Sequence, residues 1–181
     1  MGGPLEGYRI IDLSTMLSGP RSTSILGDVG ADVIKVELPP TPDDKSTADP
    51  VKARHGPDFQ NLHRNKRSLT LNLKEPDGLA LFKRLADKSD VVIENYSPRV
   101  TEGWGLTWDR IHELNDQTIF VRVPAYGIDG PWRDRVGFAM NMEQGSGLSN
   151  RPGHPDGPPL NPRGPVDSIA GLHAVFALSL L

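Results

Sequence analysis

Cysteine is absent from the 181 residues. That absence excludes a disulfide framework, a thiolate nucleophile and a cysteine-ligated zinc site together. Net charge is nearly absent as well: 20 basic residues against 23 acidic ones leave −3, so no strong field calls for nucleic acid or an anionic membrane surface. Long apolar runs are missing. The longest, from Ile169 to the chain end, contains His173 and Ser179 and falls short of the roughly 20 residues a bilayer span needs. Met1 to Tyr8 shows no basic stretch leading into an apolar one, so no signal peptide is read. These absences make a soluble cytoplasmic protein, with no nucleic-acid or membrane partner, the default expectation.

Proline, by contrast, is plentiful. The 17 prolines are roughly twice the usual share, and they gather at 39–57 and 152–165, as long loops of a folded domain would. Between those loops the chain alternates strand and helix patterns. Tyr8–Ser14 reads as a strand, Gly19-Pro20 opens a helix running from Arg21 to Val29, Gly30 ends it, and Asp32–Glu37 is the next strand. Pro39–Asp58 is a polar excursion without periodicity, read as a surface loop or a lid. Ser68–Leu73 is an alternating strand; Lys74–Gly78 opens an amphipathic helix over Leu79–Ala86; and Asp90–Tyr96 is a buried-type strand. A helix over Trp108–Leu114 and a strand over Thr118–Val123 complete the pattern, with no internal repeat. Helices joining strands at this spacing imply right-handed crossovers and one α/β domain built on a parallel sheet.

Ligands of such sheets lie beyond the carboxyl ends of the strands, which places Asn95 and Tyr96 well. The first turn, Ser14-Thr-Met-Leu-Ser-Gly-Pro20, argues against a dinucleotide site, because it lacks the G-x-G-x-x-G fingerprint even though Glu37 ends the second strand. His63-Arg64-Asn65-Lys66-Arg67 has two readings: a solvated loop entering a strand, or three cations suited to a phosphate ligand. It carries no interleaved aromatics of a single-stranded nucleic-acid platform.

Chemistry is narrowed by elimination. There is no H-E-x-x-H, no clustered histidine, no G-x-S-x-G elbow and no P-loop. A carboxylate remains, and carboxylates can attack activated acyl groups. Asp167 heads the apolar run Ile169–Leu181. It reads either as the N-cap of that helix or as a nucleophile kept ionised by the helix N-terminus. The run ends on Leu-Ser-Leu-Leu without a closing glycine or cation, so the chain is expected to be the front part of something longer.

Motifs spread along the chain carry a resemblance. They are Pro4-Leu5-Glu6-Gly7, Ile11-Asp12-Leu13-Ser14, Leu26 to Glu37, Asn65-Lys66-Arg67-Ser68, Glu94-Asn95-Tyr96, Gly130-Pro131, and Pro155-Asp156-Gly157-Pro158-Pro159 leading to Asp167 and Ala170-Gly171. In this order they resemble class III CoA-transferases, the family of formyl-CoA transferase, crotonobetainyl-CoA:carnitine CoA-transferase and α-methylacyl-CoA racemase. The resemblance implies a Rossmann-like CoA-binding domain over 1–181, the N-terminal part of a larger transferase domain, lacking the family's small domain and C-terminal return segment. It implies an enzyme moving CoA from an acyl-CoA to a carboxylic acid through an aspartyl-CoA intermediate on Asp167. Acyl-CoA is then a substrate, no cofactor is tightly bound, and an interlocked homodimer is expected. By motif position the CoA contacts fall on Leu17 and Ser18, Leu71, Asn72, Leu73 and Lys74, and Asn95, Tyr96 and Ser97.

Three departures from the family pattern matter. Leu17 stands where oxalate-linked members often carry glutamine, which argues against oxalate or formate. Phe138-Ala139 replaces a polar pair, so the racemase reading lacks its base and transfer is favoured over it. Gly103 replaces an arginine and alters the expected CoA contacts. A CoA-binding fragment without turnover is the further alternative, and the 181-residue chain alone is expected to be inactive and poorly soluble.

Overall fold

The computed structural model describes residues 2–39, 56–162 and 164–180, so most of the excursion over 39–58 and its reading as a loop or lid lie outside the described residues. Among the described residues five strands form one sheet: β1 (Arg9–Asp12), β2 (Asp32–Glu37), β3 (Lys66–Thr70), β4 (Val91–Glu94) and β5 (Ile119–Arg122). Their order is β3-β2-β1-β4-β5 and every pairing is parallel. The fold is therefore α/β and Rossmann-like, as expected.

Strand residues alternate between two apolar layers, because successive side chains leave a strand on opposite faces. Ile11, Val36 and Val92 face a layer with Phe82 and Ile111. That layer is covered by α3 (Pro76–Ala86) and α5 (Trp108–Leu114). Ile10, Val33, Val91 and Ile93 face the other, with Leu26 of α1 (Ser18–Asp28) and with Val175 and Leu178 of the last helix, α7 (Pro165–Leu178). Three short helices escape the periodicity signal: α2 (Pro57–His63), α4 (Pro98–Gly103) and α6 (Ala139–Gly145), the last followed by a 3₁₀ turn over Leu148–Asn150. None carries three apolar residues at helical spacing, as the equally short α5 does with Trp108, Ile111 and Leu114, although Pro57 and Pro98 mark two of their starts. Among the described residues, no helix is long and apolar enough to cross a membrane.

The third strand lies further toward the N-terminus than its alternating pattern implied. Lys66 pairs with Val33 and Thr70 with Glu37, after which Leu71 and Leu73 leave the ladder and turn into the core. Alternation reports burial, and here two of the buried residues lie beyond the last strand pairing.

Candidate active site

The strand order reverses between β1 and β4, and in open parallel sheets the crevice outside the carboxyl ends at that point is where ligands bind. A cavity of about 560 Å³ lies there. Its floor is the turn after β1. Ser14 donates its backbone N–H to Asp12 Oδ1 at 2.9 Å, starting a tight turn. Met16 follows with φ 61, a left-handed conformation that a side chain such as methionine seldom adopts, and it is exposed on the cavity wall. Asn95, beyond β4, holds this turn in place. Its amide accepts from the Thr15 N–H and donates to the Thr15 carbonyl, both at 2.8 Å, and reaches the Ser18 hydroxyl at 3.1 Å.

Of the residues singled out in the sequence, Leu17, Ser18, Asn95, Tyr96, Ser97 and Asp167 line this cavity together. Leu17 is the N-cap residue of α1, so that helix opens onto the cavity and offers amide donors and a positive dipole end. Burial pushes the Tyr96 phenol up to about 12, so it stays a hydroxyl. Its ring stands edge-on to Trp104 at 5.0 Å. Leu71, Asn72, Leu73 and Lys74 do not line the cavity. They follow β3 on the same carboxyl edge, where the Leu71 N–H donates to the Glu37 carbonyl at 3.0 Å, and the side chains of Leu71 and Leu73 are buried. Between the two groups lies a second hollow of about 310 Å³, bounded by Lys35, Glu37 and His63 and sharing Thr15, Met16 and Tyr96 with the first.

Two expectations about Asp167 need correction. It is the third residue of α7 and not its cap: the N-cap is Gly164, with φ 111, and Pro165 takes the first helical position. Nor does the helix end hold the carboxylate low. Burial, and then the charge of Glu143, raise the Asp167 carboxyl above its ordinary value. Among the described residues Asp167 makes no hydrogen bond or ion pair, and its side chain is half-buried on the cavity wall. His173 is exposed and faces away from that wall, so it forms no dyad with Asp167.

The phosphate-patch reading of Arg64, Lys66 and Arg67 is also corrected, because each cation already has a carboxylate partner. Arg64 pairs with Asp28, Arg67 with Asp32 at 2.6 Å, and Lys66 with Asp12 at 3.0 Å. The ladder puts Arg67 and Asp32 at the amino end of the sheet, away from the cavity. Lys66 is instead half of a buried charge network under the floor. Burial alone would raise Asp12, but Lys35, Lys66 and the hydroxyls of Ser14 and Thr23 outweigh it and hold the carboxyl below its ordinary value.

Several wall residues were not anticipated from the sequence: Val123 to Ala125 beyond β5, Arg135, Met142 and, behind them, Glu143. The first group was reachable from the rule that strand ends bear sites. Glu143 carried no such signal.

A family model described as CoA-transferase family III matches residues 5–180. The chain belongs to that family. This family III chain is 39% identical over 180 residues to the succinyl-CoA–L-malate CoA-transferase beta subunit of Chloroflexus aurantiacus, covering 98% of the chain and 44% of that protein. It is 37% identical to the human succinyl-CoA:glutarate CoA-transferase, covering 97% of the chain and 40% of the relative. It is 36% identical to the formyl-CoA:oxalate CoA-transferase of Streptomyces avermitilis, covering 96% and 42%. A solved CaiB/BaiF family protein from Brucella suis superposes with a TM-score of 0.86 at 30% identity, over 99% of this chain and 49% of that one. The chain thus spans under half the length of the curated relatives it matches.

Proposed function

We propose that this protein transfers CoA between carboxylic acids, with Asp167 as the covalent carrier. The observation that supports it most is a half-buried carboxylate, unpaired among the described residues, on the wall of a cavity at the switch point of a parallel sheet. A carboxylate oxygen of Asp167 attacks the thioester carbonyl carbon; the C–S bond breaks, and CoA leaves as its thiolate from a mixed anhydride. The thiolate then attacks the Asp167 carbonyl carbon, releasing the first acid and leaving an aspartyl-CoA thioester. The acceptor carboxylate attacks that thioester, and the thiolate it frees opens the second anhydride at the acceptor carbonyl, which regenerates Asp167. Dividing one exchange between two poor nucleophiles into such steps is what covalent catalysis supplies. A raised carboxyl suits the role, since a more basic oxygen is the better nucleophile.

CoA would lie along the carboxyl edge, from Leu17, Ser18 and Asn95 to Ser97 toward the turn at Leu71 to Lys74. The names of the relatives point to dicarboxylic acids such as succinate, malate and glutarate as the first acids to try. Phe138 on the cavity wall has no group that could move an α-proton, which favours transfer over racemisation. Family membership supports a homodimer as the working form.

The test is mass spectrometry after incubation with an acyl-CoA and trapping with hydroxylamine or borohydride. Modification confined to Asp167 and lost in Asp167→Ala is expected. A label elsewhere, or one undiminished in the variant, refutes the reading. CoA binding without any adduct identifies a non-catalytic CoA-binding protein instead.

A further inference from the structure

Of the buried ionisable groups that this chemistry leaves unused, Glu143 is the one beside the start of α7: it is the single charged residue of α6, a helix that packs against α7. It is fully buried. Its Oε1 accepts the N–H of Gly164 at 2.7 Å, while Oε2 is buried with no hydrogen-bond partner among the described residues. One hydrogen bond to a charged acceptor returns less than an uncompensated buried charge costs. A glutamine would make the same bond without that cost, so the contact alone does not account for a carboxylate here.

The geometry of the helix start does. Gly164 has no side chain with which to cap α7, and Pro165 has no N–H, so the free donors are those of Gly164, Val166 and Asp167. In the usual box at a helix start, an acidic or amide side chain at the third helical position folds back onto the N-cap N–H. That position is occupied by Asp167. Glu143 already holds the Gly164 donor, and the Asp167 side chain is left without a hydrogen bond among the described residues.

We propose that Glu143 is a positioning residue for Asp167: it occupies the N-cap N–H that would otherwise draw the Asp167 side chain back, and its buried negative charge sets the field around the nucleophile. This rests on the reading of Asp167 as nucleophile. The direction of the Asp167 carboxyl agrees, being raised by burial and then by Glu143. The other titratable groups on the elements around it are Arg21 of α1, with Asp28 at the last residue of that helix, Arg135 and Tyr96 on the cavity wall, and His173 of α7 itself.

The test is a carbon-13 NMR titration of the Asp167 side-chain carboxyl in the unaltered protein, Glu143→Gln and Glu143→Ala, alongside adduct formation with an acyl-CoA. Gln keeps an acceptor for Gly164 and removes the charge, so the Asp167 titration moves to lower pH. Ala frees the Gly164 N–H; Asp167 folds back onto it, the titration moves further down, and adduct formation falls about tenfold to a hundredfold while CoA affinity holds. A Gln variant whose Asp167 titration superimposes on that of the unaltered protein overturns the proposal, whether or not the Ala variant folds. So does an Ala variant that forms adduct at the full rate. If the unaltered protein forms no adduct yet the Gln titration moves, the nucleophile reading has failed and the Glu143–Asp167 coupling stands.

Discussion

Gly171 is where α7 meets α1, and replacing it with alanine sets two effects of opposite sign against each other. A Cβ added there would stand 2.5 Å from the Ser18 carbonyl oxygen and 3.3 Å from the Ser22 hydroxyl, which itself donates to the Gly171 carbonyl at 3.1 Å. In an open helix interior Gly→Ala gains about 0.5–1 kcal/mol, because alanine has less backbone freedom to lose. Here the near neighbour is backbone and cannot rotate away, so the helix must shift. Overpacking of that kind costs about 1–3 kcal/mol, and loss of the Ser22 hydrogen bond adds about 1. The destabilising side wins by about 1–3.5 kcal/mol, a fall in Tm of about 2–14 °C for a chain of this size. Urea unfolding with an unchanged m-value is the measurement. Gly103→Ala is the control: a Cβ there meets nothing within 4 Å, so that variant gains about 0.4–1 kcal/mol. If Gly171→Ala is as stable as Gly103→Ala, the close packing of α1 on α7 is refuted. Because Gly171 lies one turn past Asp167, the same shift moves Asp167 on the cavity wall and slows adduct formation in parallel.

Other variants test the surroundings of the site. Asp12→Asn leaves Lys35 and Lys66 buried without their partner and costs about 3–5 kcal/mol in urea unfolding; a loss below about 1 kcal/mol would mean that the pair is hydrated. The His63 imidazole is pushed down to about 4 by burial, with Lys66 and Lys35 adding to it. Since its folded value lies below the unfolded one, its contribution is full above about pH 6.5 and is lost as pH falls toward 4. The urea midpoint should therefore drop across that window and drop less in His63→Phe; an identical slope in the variant would assign the effect to other groups. Leu172 and Phe176 of α7 are 53% and 64% exposed. Replacing both with Gln should change stability by no more than about 0.5 kcal/mol per site and reduce self-association in sedimentation, whereas a large loss of stability would show that both side chains are packed.

The parallel sheet was legible because four of its five strands announce themselves by apolar runs bounded by turns, and because the helices between them fix the crossover hand. What escaped was short or depended on register. α2, α4 and α6 have six or seven residues each and, unlike the equally short α5 with Trp108, Ile111 and Leu114, carry no three apolar residues at helical spacing. The cations at 64–67 looked available because their partners, Asp12, Asp28 and Asp32, lie 35 or more positions away along the chain. Only the pairing of β3 with β2 brings Arg67 beside Asp32.

The position of Asp167 within its helix was, by contrast, readable in advance. Proline favours the first helical position, so Pro165 makes Gly164 the cap and Asp167 the third residue. An acid at that position normally satisfies its own helix, and by local rules alone Asp167 should be occupied. Its availability comes instead from α6, where Glu143, 24 residues earlier, takes the Gly164 amide. Local chemistry names the carboxylate, but whether it is free to act is decided by a tertiary contact that no motif contains. For that reason the Glu143 variants are the sharper test of the site: Asp167→Ala asks which residue reacts, and they ask why that residue is able to.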